Sequence, residues 1–313
     1  MNSPDKMPCC MHPVTFPCVD DEHKSLLDLA GGISLPALRY ALCRFQLRAE
    51  EMLELANADY APVDPVRTIY NDKRFDMPGG FVLDYDMGKG QINGLEFCAR
   101  VRRSSIRRIT WSRHLPNEDA LKAVNKGQLH GSVKKDARHS VQEVSKLIEQ
   151  AIPAFFCQET GTFAKVGEQA DSALKDPLFV KWFAELLRAR DFSEHYLLDP
   201  AGTLMLAGPN KEIYGLRALT ARQLDKEAEQ AQKCGAPNYV AQSLKNHDAA
   251  LCLPRPDQQQ ITPEIDWLKC MYPITETLSG GQQAYFLCHG ANLLVVDTGK
   301  VFSVAQYREA NPY

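Results

Sequence analysis

Val82-Leu83-Asp84-Tyr85-Asp86-Met87 joins a compact apolar run directly to two carboxylates. An unbroken apolar run beginning at Phe81 is what a strand buried on both faces requires. A carboxylate at its end lies where a parallel sheet opens toward solvent. Upstream, Val14-Thr-Phe-Pro-Cys-Val19 is a second such run, and it ends in Asp20, Asp21 and Glu22. Downstream, the run around Ile109-Thr110-Trp111-Ser112 ends in a hydroxyl, and Gly131-Ser132-Val133 ends in Lys134 and Lys135. Residues 38–45 alternate apolar and polar positions as a further strand does. Helical spacing separates these runs: 48–58 carries Met52, Leu53, Leu55 and Ala56, 95–102 follows the acidic segment, and 117–125 is expected to turn Ala120, Leu121 and Val124 inward. Strands alternating with helices predict an α/β doubly wound parallel sheet.

The pattern is interrupted at 59–80 by Pro62, Pro65, Pro78 and Gly79-Gly80, which read as an irregular insertion with a short extended piece around 68–70. From Ser140, the positions Val141, Val144, Leu147, Ile148, Ala151 and Ile152 recur at helical spacing and close the first domain. The expected organisation is a disordered tail over 1–13, a doubly wound domain over 14–155 with its insertion at 59–80, and an α+β domain over 156–313. In the last, a helix over 176–188 precedes strands near 195–198 and 204–206, joined by the turn signal Asp199-Pro-Ala-Gly202. Helices at 221–233 and 238–250, a Pro-rich break at 253–256 and strands at 284–288, 292–296 and 301–305 complete the reading.

The 313 residues carry 36 Lys plus Arg against 39 Asp plus Glu, a net charge of −3. The first 155 residues balance at +1 and the remainder at −4. This charge supplies no global field for a phosphate backbone, and no basic helix follows a helix–turn–helix signature, so direct DNA binding is disfavoured, although a dimer can assemble a patch that one chain lacks. No apolar run approaches the roughly 20 residues of a membrane span, and the amino-terminal stretch lacks the apolar core of a secretion signal. The ten scattered cysteines read as reduced thiols, and a cytoplasmic protein is expected.

Asp20, Asp21, Asp84, Ser112 and Lys135 all fall just beyond the carboxyl ends of expected parallel strands, where such sheets place their chemistry. Three converging carboxylates call for a cation, and hard oxygen donors suit Mg²⁺. A hydroxyl and an ammonium add contacts for phosphoryl oxygens.

In this order, the segments around Asp20-Asp21, Val82-Leu83-Asp84-Tyr85-Asp86-Met87, Asn93-Gly94-Leu95-Glu96, Ile109-Thr110-Trp111-Ser112 and Ser132-Val133-Lys134-Lys135 resemble the CheY-like receiver domain of two-component response regulators, with its flavodoxin-like fold. The resemblance covers about residues 14–155. It implies that Asp84 accepts a phosphoryl group from the phosphohistidine of a sensor histidine kinase or phosphotransfer protein. Asp21 and Asp84, with the backbone carbonyl of Asp86, would hold Mg²⁺, assisted by Asp20. Ser112 would bond a phosphoryl oxygen, Lys135 would pair with the acyl phosphate, and phosphorylation could drive formation of a homodimer. Beyond its own phosphorylation the protein is not expected to be an enzyme, with an enzymatic second domain as a further alternative. The chain departs from the family in its insertion, in Gly88 within the loop Gly88-Lys-Gly-Gln91, in Asp136 after the lysine, and in Ser132 at the position of an aromatic switch residue.

The segments Ala120 to Lys135, Ile152-Pro-Ala-Phe-Phe156 and Glu194-His-Tyr-Leu-Leu-Asp199-Pro-Ala-Gly-Thr-Leu204 are similar to quorum-sensing response regulators of the LqsR type. An alternative is a receiver-like platform that is never phosphorylated and carries a ligand- or protein-binding second domain. Three smaller clusters have simpler expected roles. The arginines at 100, 102, 103, 107 and 108 read as a solvated helix end. Cys9, Cys10, His12 and Cys18 lack zinc spacing. Glu194, His195 and Asp199 read as a strand edge and turn with no nucleophile motif.

Overall fold

The computed structural model describes residues 6–33, 40–46, 48–60, 64–167, 171–252, 265–281, 283–291 and 293–311. Strands are β1 (Cys10–Met11), β2 (Val14–Val19), β3 (Ala41–Gln46), β4 (Gly80–Leu83), β5 (Arg107–Ser112), β6 (Gly131–Lys134), β7 (Glu194–Leu197), β8 (Thr203–Ala207), β9 (Ile213–Thr220), β10 (Ala249–Leu251), β11 (Met271–Pro273), β12 (Glu276–Leu278) and β13 (Tyr285–Gly290). The chain forms two compact units. One draws on residues 12–63, 73–159 and the stretch from 308 onward, and the other on residues up to 11, 64–72 and 160–307.

In the first unit, β2 to β6 form a parallel sheet in the order β3-β2-β4-β5-β6. Every residue of β2 and β4 is buried, which is why both read as unbroken apolar runs. Thr15 keeps its hydroxyl satisfied inside this core by donating to the Phe75 carbonyl at 2.7 Å. Strand order reverses between β2 and β4, and such a reversal opens a crevice at the carboxyl ends of the two strands. The helix Ser140–Thr160 buries Val144, Ile148, Ala151, Ile152, Phe155 and Phe156, a stripe at helical spacing.

The second unit is built on an antiparallel sheet in the order β1-β7-β8-β9-β13-β12, with β10 and β11 paired separately. The helix Pro177–Ala189 starts at Asp176, whose carboxylate accepts from the Leu178 amide at 2.8 Å, and it buries Phe179, Val180, Phe183 and Leu187. The helix Ala221–Lys233 opens on a capping box between Thr220 and Gln223. Its Ala228 and Ala231 pack with Val240 and Leu244 of the helix Asn238–Lys245.

Several expectations change. Residues 6–13 of the expected tail are placed, and β1 lies within them. Cys10 and Met11 pair with Tyr196 and His195, and His195 Nε2 lies 3.1 Å from the Pro8 carbonyl. Sheet pairing with a distant strand leaves no trace in local periodicity. Around 68–70 the chain forms the short helix Pro65–Thr68 rather than an extended piece. Leu121 and Val124 point outward, 62% and 41% exposed, while Ala123 is buried. Residues 293–296 form no strand, Asn292 lying outside the described residues, and 301–305 give way to the helix Val304–Ala310. Residues 253–264, with the Pro-rich break, and 38–39 of the strand expected over 38–45 are likewise outside the described residues. The helix expected over 238–250 ends at Lys245, and 249–251 become β10. β9, the longest strand among the described residues, has no unbroken apolar run for the sequence to show, because Gly215 and Arg217 interrupt it.

Arg108 is buried, donating to the Cys98 and Gly127 carbonyls, and Arg103 pairs with Glu159 at 2.5 Å. These arginines therefore brace the first unit rather than line a solvated helix end, and Arg102 stays exposed. Glu194 accepts from the Tyr196 hydroxyl at 2.5 Å, and Asp199 accepts from the Thr203 amide at 3.1 Å, so these groups serve the sheet and its turn.

Because β1 covers the β7 edge and its approach holds the buried His195, deleting residues 1–11 should uncover that edge. Hydrogen exchange at the amides of Glu194–Leu197 should accelerate at least about tenfold, the signature of losing roughly 1.4 kcal/mol or more of local protection. Unchanged exchange would mean that β1 contributes nothing to the sheet.

Candidate functional site

The crevice at the strand reversal is assembled by backbone bonds before any side chain meets another. The Asp84 amide donates to the Val19 carbonyl at 2.9 Å, placing the residue after β4 beside the acidic pair after β2. The Lys135 amide donates to the Ser112 carbonyl at 3.2 Å, which fixes the residue after β6 against the end of β5. Gly94 opens the helix Gly94–Arg100 with its amide on the Tyr85 carbonyl at 2.9 Å. A Cβ at Gly94 would stand 2.2 Å from the Asp84 carbonyl oxygen, so only glycine allows this approach. Asn93 caps that helix by accepting from the Glu96 amide at 2.9 Å. Gly88 takes φ +86°, the left-handed turn of the acidic loop.

On this frame, Lys135 Nζ lies 2.6 Å from Asp20 Oδ2 and 2.5 Å from Asp84 Oδ2, with all three side chains nearly sealed from solvent. The second oxygen of Asp84 accepts from the Tyr85 amide at 2.6 Å, and that of Asp20 from the Glu22 amide at 3.0 Å. Asp21 is exposed at the mouth. Carboxylate oxygens of Asp20, Asp21 and Asp84 lie within 4.8 Å of one another, and among the described residues theirs is the cluster of potential metal ligands. Burial pushes the Asp20 carboxyl up, with a smaller upward push from Asp84, against the opposing effect of Lys135 and the Glu22 amide. The cysteines and histidine near the amino terminus form no such group.

Of the residues singled out from the sequence, Asp20, Asp21, Asp84 and Lys135 come together. Ser112 is buried at the end of β5, its hydroxyl accepting from the His114 amide at 3.2 Å. Asp86 is exposed, and its side chain accepts from the Gly88 amide at 3.3 Å. Four further groups belong to the site. Ser25 receives a long 3.4 Å bond from Lys135 Nζ and donates to Glu22 at 2.7 Å, and Glu22 in turn holds Arg113 at 2.8 Å. Glu22 and Ser25 stand three residues apart at a helix start, a spacing that could have flagged them. Trp111 places its ring 5.2 Å from Lys135 Nζ, a cation–π contact. Ser132, at the expected aromatic position, accepts from the Thr110 hydroxyl at 2.9 Å.

A parallel sheet with this order, a crevice of three aspartates and a lysine, and a second antiparallel unit can be compared with known structures. The response regulator LqsR of Legionella pneumophila matches over 98% of this chain and 97% of its own, with a TM-score of 0.76 and 23% identity. The chain has the LqsR fold. A CheY-like receiver domain protein from Methanospirillum hungatei JF-1 also matches, at 13% identity over 44% of this chain and 96% of that one, with a TM-score of 0.31. A signal receiver domain from Pseudomonas fluorescens Pf-5 matches at 17% identity over 46% of this chain and 97% of that one, with a TM-score of 0.33. No family model and no curated protein matches the sequence. This chain has a five-stranded parallel sheet of the flavodoxin-like type and an antiparallel-sheet unit with helices, the fold classes that the sequence predicts.

Replacing Lys135 by Met should leave two buried carboxylates facing each other, at a cost of about 3–5 kcal/mol in metal-free buffer, read by urea denaturation. Added Mg²⁺ should recover part of that loss. Because Asp20 holds its proton more tightly in the folded chain, the stability this provides is present below the ordinary Asp pKa and is lost as pH rises through the raised value. Asp20→Asn should therefore gain stability over the native chain as pH rises through that window and show no advantage below it, with chelator present throughout.

Proposed function

We propose that the protein is a phosphorelay response regulator of the two-component type, with Asp84 as the phosphoryl acceptor. The supporting observation is the crevice that holds Asp20, Asp21 and Asp84 around the Lys135 ammonium at a strand reversal. Asp84 is held ready: the Tyr85 amide fixes one oxygen, and the Lys135 ammonium orients the other. In transfer from a phosphohistidine, an Asp84 oxygen bonds to phosphorus as the nitrogen–phosphorus bond breaks, and the imidazole takes up a proton. Charge in such a loose transition state lies on the peripheral oxygens. Lys135 meets one of these oxygens, and Ser112 is the hydroxyl proposed to bond another.

The three carboxylates fit a hard divalent cation, with Asp21, Asp84 and the Asp86 carbonyl as proposed ligands of Mg²⁺ and Asp20 assisting. Bound Mg²⁺ would supply charge neutralisation at the phosphoryl oxygens. The proposed partner is a sensor histidine kinase or phosphotransfer protein, and the proposed consequence is a change in homodimer formation or in docking by the second unit, within quorum-sensing signalling. Among the described residues no helix is long and apolar enough to cross a membrane. We place the protein in the cytoplasm as part of this reading.

Incubation with a small phosphoryl donor and Mg²⁺ should give a single phosphoryl adduct by intact mass. The adduct should be absent in Asp84→Asn and should form about 100-fold more slowly in Lys135→Met, the scale of losing one preorganised charge contact. No adduct from the native chain with either donor or kinase would overturn the proposal in favour of an unphosphorylated platform.

A further inference from the structure

The antiparallel-sheet unit contains a half-open cavity of about 160 Å³ between β9 and the helix Ala221–Lys233, bordered by Ser172, Arg217, Gln223, Lys226 and Glu227. A cavity of about 150 Å³ holds a benzene-sized molecule, so the space suits about six heavy atoms.

Its charges are not equally available. Arg217 Nη2 pairs with Glu227 Oε1 at 2.7 Å, and both side chains are largely buried. The same two residues bind Leu251, Glu227 Oε2 accepting from its amide at 3.3 Å and Arg217 Nη1 donating to its carbonyl. Burial works against the guanidinium charge, and Glu227, Cys252 and Asp199 together outweigh it. This pair is neutral as a unit and locked in place.

The remaining polar groups are donors. Lys226 makes no ion pair or hydrogen bond among the described residues. The Ser172 hydroxyl is buried, its residue only 3% exposed, and it has no hydrogen-bond partner. Gln223 spends its carbonyl oxygen on the Thr220 amide at 2.8 Å, while its amide nitrogen reaches the Ala201 carbonyl only at 3.5 Å. One uncompensated positive charge, a buried hydroxyl without a partner and a weakly engaged amide complement a single negative charge with acceptor oxygens. Pro200, Ala201 and Leu219 offer an apolar wall for a short hydrocarbon. A dianion would bring its second charge toward Glu227.

We propose that this cavity binds a small monocarboxylate of about six heavy atoms in all, making the second unit a metabolite-responsive module. The inference does not rest on phosphorylation of Asp84.

Butyrate is the probe, titrated into the full chain and followed by calorimetry and by chemical-shift perturbation. Saturable binding at one site is expected, with butanol and inorganic phosphate at least tenfold weaker. Lys226→Gln, at an exposed position that folding does not depend on, should weaken butyrate at least tenfold, and Ser172→Ala by several-fold, whereas Asp84→Asn should leave affinity unchanged. Circular dichroism of each variant separates lost binding from lost folding. Absence of saturable binding, equal affinity in Lys226→Gln, or tighter binding of phosphate than of butyrate would each overturn the proposal.

Discussion

The ammonium of Lys135, ion-paired with both Asp20 and Asp84, is the interaction on which the first unit's chemistry depends. Two carboxylates brought out of water beside each other repel, and the cation between them offsets that repulsion. The fold supplies that cation through the pairing of β6 with β5, which carries Lys135 to the crevice as the residue following the sheet. The pairing of β2 with β4 delivers the two acids from the opposite side. Sheet order and charge balance are thus one constraint, since any other order would separate the lysine from one of its partners.

The second unit manages its buried charge differently. Arg217 and Glu227 satisfy one another and the Leu251 backbone, joining β9, a helix and β10. Nothing in that pair is left open for transfer chemistry, whereas in the crevice the paired groups stand next to the exposed Asp21. A closed pair acts as a staple, and an open one keeps a place for an additional ligand. The same chain holds both arrangements.

Most of the crevice was legible in the sequence because its residues follow apolar runs buried on both faces. Such runs announce themselves, and the residue after each is the one a parallel sheet presents. Ser25, Glu22 and Arg113 were less visible because their roles depend on one another across 91 residues rather than on a local pattern. In the second unit, β9 was hidden by Gly215 and by Arg217, a buried charge that reads as surface until its partner Glu227 is known. The exposed Leu121 and Val124 show the opposite error, apolar residues at helical spacing that face solvent. Local periodicity reports what is apolar, and only the tertiary pairing decides which way it faces.

The β1–β7 pairing also orders events in time. His195 meets the Pro8 carbonyl across 187 residues of chain. At synthesis rates of about 5–20 residues per second, the first strand leaves the ribosome roughly 10 to 40 s before its partner. During that interval the whole parallel sheet, from β2 through β6, has been made and can close on itself. The amino terminus must therefore stay unclaimed by the earlier-forming sheet, and its shortness, two paired residues, suits a strand that has to wait.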